Sequence, residues 1–114
     1  MSDDRWPAEW LRGVLPLCVL QIVAEGPTYG YAIAARLAGA GLGEVKGGTL
    51  YPLLTRLETE GWVSSTWTAG EGGPGRKFFT LTDAGAQALR QRAQQWHVFT
   101  QRASGLLQSL PTSA

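Results

Sequence analysis

The sequence predicts a mainly α protein with one small β-hairpin, and three observations carry that prediction. Apolar residues recur at spacings of three and four along three successive stretches before residue 61. The pattern then changes to two short runs rich in β-branched and aromatic residues, parted by a glycine-rich break. A last apolar stripe at helical spacing fills the remainder of the chain.

The first helix is predicted from about Glu9 to Glu25, with Leu11, Val14, Leu15, Cys18 and Ile22 on one stripe. Pro16 falls inside it and should cost a hydrogen bond or bend the axis. Gly26 and Pro27 stop the helix, and Thr28 stands where the N-cap of a second helix is expected. That helix runs to about Ala38, with Gly30, Ile33, Ala34 and Leu37 inward, and the glycine-rich segment 39–43 breaks it. The third helix starts near Gly48 or Thr49 and buries Leu50, Leu53, Leu54 and Leu57. Pro52 sits in its first turn, where an N–H would be unpaired anyway, and Gly61 is its stop. Trp62 to Thr68 and Arg76 to Thr82 read as a hairpin around the flexible seven-residue turn 69–75. Thr82 or Asp83 caps a final helix from about Ala84 to Leu110. Three helices followed by a hairpin with a glycine-rich tip is the order of a winged helix-turn-helix. Residues 1–83 are therefore expected to form a winged-helix DNA-binding domain, and 84–114 a C-terminal dimerisation helix. The alternative on element order alone is an unrelated small α+β domain.

Composition narrows the classes. With 114 residues there is room for one small domain and at most one added element. The longest apolar run, Val14 to Ala24, is shorter than the ~18 residues of a membrane span and is interrupted by Gln21, so no membrane partner is expected. The N-terminal Met-Ser-Asp-Asp lacks the basic region and apolar core of a signal peptide, and the default location is cytoplasmic. Cys18, the single cysteine, lies in an apolar helical pattern and reads as a small hydrophobe. Ten Lys plus Arg against nine Asp plus Glu leaves a net charge of +1, so overall charge does not point to nucleic acid. One histidine, one cysteine, no phosphate loop and no nucleophile elbow argue against an enzyme, and no catalytic residue is assigned. Glu58 and Glu60 are two apart on a helix and diverge. His97 has no partner at ligand spacing, so no metal or cofactor is expected.

The nucleic-acid reading comes from where polar groups fall. A helix entering the major groove must bury one face and offer small or polar side chains on the other. Opposite the leucines of the third helix lie Thr49, Tyr51, Pro52, Thr55, Arg56 and Thr59, with Lys46 at its N-terminal end, where backbone N–H groups can meet phosphate. Thr28 and Tyr29 put hydroxyls beside the start of the second helix, a phosphate-positioning arrangement, whereas Tyr31 is expected in the core. Arg76 and Lys77 follow the hairpin tip and can track a phosphate backbone or reach toward a minor groove. A solvated helix face and an edge strand protected by cations are the plain alternatives. Phe78 and Phe79 alternate, so one faces the core and the other is partly exposed.

The linked segments Tyr29-Gly-Tyr31, Gly48-Thr-Leu-Tyr-Pro-Leu-Leu-Thr-Arg-Leu-Glu58 followed by Gly61, and Gly75-Arg-Lys-Phe-Phe-Thr-Leu-Thr-Asp-Ala-Gly85 resemble the successive signatures of PadR-type regulators, over roughly residues 10 to 110. The resemblance implies a homodimeric bacterial transcriptional repressor that binds a palindromic promoter and leaves it on binding an effector. It marks Tyr29, Thr49, Tyr51, Arg56 and the wing cations as contacts to double-stranded DNA. Phe78 and Phe79 depart from the tyrosines usual in the family, and their hydroxyls are missing here.

The final helix carries Leu89, Ala93, Trp96, Phe99, Ala103, Leu106, Leu107 and Leu110 at spacings of three and four. A stripe this long on so small a chain is explained by pairing with a second copy, helped by the first helix. Trp62 and Trp67 are expected to be structural, and Trp6 and Trp10 to pack on the partner's last helix. Trp96, with small Ala93 before it and Phe99 after it, either packs the interface or lines a site for a flat aromatic effector, together with Trp10 and Leu17 of the first helix. The chain is also similar to the shorter PadR members that sense planar drugs through a tryptophan of the last helix. A winged helix that binds protein instead would leave the polar third helix and basic wing without use.

Overall fold

A computed structural model describes residues 6–70 and 73–109. Helix α1 spans Ala8–Ala24, strand β1 Thr28–Tyr29, helix α2 Gly30–Gly39 and helix α3 Gly47–Thr59. Strands β2, Val63–Gly70, and β3, Gly73–Leu81, precede helix α4, Asp83–Leu106. The expected fold is present: a helix-turn-helix and wing, followed by a long helix. Among the described residues the sheet has three antiparallel strands in the order β1-β3-β2.

Local chemistry sets most of the boundaries. Gly61, at φ 83°, follows α3, and the amides of Gly61 and Trp62 bond the carbonyls of Glu58 and Leu57. Gly41, at φ 87°, closes α2 in the same way, with Gly41 and Leu42 bonding Ala38 and Leu37. This double hydrogen bond needs a left-handed residue, which glycine supplies without a Cβ clash. Thr82 caps α4: its hydroxyl accepts from the Gly85 amide at 2.9 Å and donates to the Gly61 carbonyl at 2.6 Å. Pro16 withholds a donor from the Arg12 carbonyl, yet α1 continues through it.

The core joins Leu15, Val19, Leu20, Ile22 and Val23 of α1 to Ile33 and Leu37 of α2, the four leucines of α3, Val63 and Phe79. Phe79 is buried and Phe78 half-buried, as the alternation requires. In α4 only Gly85 is buried, and the molecule is elongated, 59 × 35 × 20 Å.

Several expectations change. Thr28 is not a helix cap: Thr28 and Tyr29 pair with Phe79 and Phe78, and Tyr29 precedes α2 with no side-chain cap. Ladder bonds to β3 occupy this segment's backbone in place of a local cap. Tyr31 is 76 % exposed, because Gly30, Ile33 and Leu37 take the inner face of α2. The turn at 69–75 is shorter than read, since β2 and β3 stay paired to Gly70 and Gly73, with a register shift after Thr68. Ladder bonds use only backbone, so glycines can extend them. Trp62 is half-buried under the Arg92 guanidinium at 4.8 Å, but Trp67 is exposed, like every residue of β2 after Ser65. The buried face of α1 is turned from the expected stripe: Val19, Leu20 and Val23 enter the core, whereas Leu11, Val14 and Cys18 are half-buried. Helix α4 ends at Leu106, just after the poor helix former Gly105, and Leu110 lies outside the described residues.

Candidate nucleic-acid interface

Helix α3 turns about 100° per residue, so its leucines define an inner face and place the rest around it. Gly48, Pro52, Thr55 and Thr59 point directly away from the core. Tyr51 and Glu58 flank them on one edge, and Thr49 and Arg56 on the other. Lys46, Thr49, Tyr51, Thr55 and Arg56 are all exposed. Lys46 caps the helix by backbone only, leaving the first-turn glycines Gly47 and Gly48 without a capping side chain.

On the wing side, contacts between distant segments fix the polar groups. The Tyr51 ring lies across Gly30 and Gly47. A Cβ on Gly30 would stand 2.6 Å from its Cε1, and one on Gly47 3.3 Å from its Cδ2. Tyr29, next to Gly30, meets the Phe78 ring at 5.2 Å and holds the Arg76 guanidinium 4.5 Å above its own ring. The result is a continuous strip from α3 across the start of α2 to the wing. Thr28 is half-buried beside it in β1. Lys77 lies elsewhere: its ammonium pairs with Glu58 at 3.5 Å, and Glu58 also accepts from the Ser65 hydroxyl at 2.6 Å. Glu58 therefore braces α3 against the hairpin, and Lys77 is engaged within the domain.

The residues expected to hold an effector gather only in part. Leu17 and Trp96 line two adjoining grooves between α1 and α4. One, of about 300 Å³, adds Cys18, Ala93 and His97; the other, of about 430 Å³, adds Trp62 and Phe99. Trp96 and Phe99 rings stand 5.9 Å apart. Trp10 joins neither groove; it is exposed on the first turn of α1. Burial in the first groove pushes the Cys18 thiol above its ordinary pKa, against ready thiolate chemistry. No group of three or more metal-ligating side chains occurs among the described residues.

A sequence model described as the transcriptional regulator PadR-like family matches residues 19–91. The chain belongs to this family. PadR-like proteins are transcriptional regulators rather than enzymes. A PadR-family regulator from Eggerthella lenta superposes with a TM-score of 0.80 at 40% identity, covering 90% of this chain and 88% of the other. A PadR-like regulator from Bacillus cereus gives 0.79 at 35% identity, over 89% and 98% of the two chains. Bacillus subtilis PadR in complex with operator DNA gives 0.65 at 28% identity, over 70% of this chain and 45% of that longer one. The motif that opens α2 and the motif of α3 are thus joined through Gly30, whose missing side chain makes room for Tyr51. Sequence spacing offered one signal for this, the paired Tyr-Gly and Gly-Gly-Thr-Leu-Tyr segments, but not the contact itself. For the Glu58 brace it offered none.

Proposed function

We propose that this PadR-like chain is a homodimeric repressor that binds a palindromic promoter site and is released by a planar aromatic ligand. The observation that carries the reading is the strip from Tyr51 over Gly30 and Tyr29 to Arg76, which presets the polar groups of α3 and the wing on one surface. The operator-bound B. subtilis relative supports a DNA partner. In this reading α3 enters the major groove, and Thr49, Tyr51, Thr55 and Arg56 meet base edges. Lys46, Thr28, Tyr29 and Arg76 meet phosphates, and Lys77 does so only by leaving Glu58. Residues 1–83 form the DNA-binding unit. The C-terminal part, 84–114, supplies dimerisation through α4, supported by the exposure of Val98, Phe99 and Leu106 along that helix and of Leu107 at its C-cap. Two copies then present two recognition helices to two half-sites. The effector lies against Trp96, Ala93, Phe99 and Leu17, with Trp10 contributed only through rearrangement or a second copy, and it changes the spacing of the wings. The site of action is the cytoplasm, where promoter DNA is reached.

A gel-shift titration with DNA from upstream of the protein's own gene tests the reading. A salt-sensitive shift is expected. No shift with any upstream fragment, at low salt and micromolar protein, overturns it. Replacing Trp96 with alanine should abolish ligand-induced release while leaving DNA binding intact; unchanged induction would reduce Trp96 to packing.

A further inference from the structure

A third groove, of about 370 Å³, separates α1 from the edge of α3 that carries Thr49 and Arg56. Leu11 and Leu15 of α1 and Leu53 of α3 supply apolar lining, and Arg12, Lys46 and Arg56 stand around it with Glu44 as the one acid among the described residues. Arg12 of α1, with Lys46 and Arg56 at the cap and on the body of α3, outnumber the one carboxylate among the described lining residues, so that lining carries more positive charge than the +1 of the whole chain. Among the described residues no ion pair engages any of the three. The Trp6 indole donates to the Gly41 carbonyl at 3.0 Å, tying the entry of α1 to the segment that carries Glu44 and Lys46. A concave site of this size, mostly apolar with a few convergent charges, has the make-up of a small-molecule pocket. A DNA backbone would use the cations and leave the leucine lining without a partner.

We propose that this groove binds an amphiphilic anion, an apolar body ending in a carboxylate or phosphate. The apolar body lies on Leu11, Leu15 and Leu53, and the charged end meets Arg12, Arg56 and Lys46, where guanidinium forks suit both anion types. Because Lys46 and Arg56 are DNA contacts in the reading above, such a ligand competes with operator binding, and that consequence rests on that reading. Binding itself does not.

Calorimetric titration of the full chain with octanoate, octyl phosphate and neutral 1-octanol tests the proposal. Saturable binding of one anion per chain is expected, with octanol at least about tenfold weaker. Comparison of octanoate with octyl phosphate identifies the preferred anionic group. Arg12→Ala and Arg12→Gln, on an exposed position of α1, should each weaken the anion about tenfold and leave octanol unchanged. Trp96→Ala should not alter anion binding. In the gel shift, the anion should raise the protein needed for half-maximal binding for the unmodified chain but not for Arg12→Ala. Absence of saturable binding, equal affinity for octanol, or insensitivity to Arg12 overturns the proposal. Loss of binding in Trp96→Ala also overturns it, placing the ligand between α1 and α4. Weaker DNA binding by Arg12→Ala without any anion binding makes Arg12 a backbone contact instead. If no DNA is shifted at all, the function proposed above fails and the titration still decides the groove.

Discussion

Gly30 and Gly85 are both places where a methyl group has no room, but the neighbours differ in kind. At Gly30 the obstacle is the Tyr51 ring, the far end of a half-exposed side chain, with Cζ 2.7 Å from the added carbon. The ring can swing away, so Gly30→Ala is expected to change stability by less than about 1 kcal/mol. It should weaken DNA binding about five- to tenfold, because Tyr51 loses its preset position. A gel shift beside a melting curve checks both halves. At Gly85 the obstacle is the Trp62 carbonyl, whose carbon lies 2.8 Å from the added atom. Backbone cannot swing, so Gly85→Ala should destabilise by about 2–3 kcal/mol despite the better helix propensity of alanine, as urea unfolding would show. Equal melting behaviour of the two variants would refute this distinction.

Between elements, two carboxylates act as fasteners. Glu25, just after α1, receives the Arg36 guanidinium of α2 through two bonds of 3.1 and 2.9 Å. The bonds from Arg36 hold the Glu25 carboxyl below the usual carboxylate range, and Glu25 in turn raises Arg36. A lowered carboxylate pKa stabilises the fold above the group's ordinary value, and the contribution is lost as pH falls through the lowered one. Stability should therefore decline less steeply below the usual carboxylate range in Glu25→Gln than in the unmodified chain. Both side chains are substantially exposed, so the difference should be small and should fade with salt. Parallel acid melts at low and high ionic strength check it. At the hairpin, Glu58 holds Ser65 and Lys77 together. Glu58→Ala should cost less than about 1 kcal/mol in the same melts and release Lys77, steepening the salt dependence of DNA binding.

At the level of the whole molecule, the winged unit closes its core with α1, α2, α3 and the sheet, whereas α4 packs Leu89 against that core and leaves Val98, Phe99 and Leu106 outside. Phe99→Glu with Leu106→Asp should therefore give a folded monomer with weakened operator binding, measured by light scattering and gel shift. A dimer that persists would place the interface elsewhere. Arg56→Ala should lower the slope of log affinity against log salt by about one if Arg56 meets phosphate. If Arg56 reads a base instead, the variant should lose about 1–3 kcal/mol on the operator alone, with nonspecific binding nearly unchanged.

The sequence by itself determined the features whose causes are local. The leucine stripe of α3, its Gly61 stop and the Thr82 cap depend on residues within a turn or two, and all three stand where the pattern puts them. The fold class was legible for the same reason, because element order needs only periodicity and breakers. Tertiary structure decided which of these surfaces are preset and which are engaged. Strand β1 exists because β3 offers a ladder, and Tyr51 is aimed because Gly30 leaves room beneath it. Lys77 turns inward because Glu58 waits on another element. Even the rotation of α1 followed from its neighbours, since a helix apolar on two sides can bury either, and α2 and α3 took the side with Val19, Leu20 and Val23. Pairings between segments far apart in the chain leave no periodic trace, so only the packed molecule shows them.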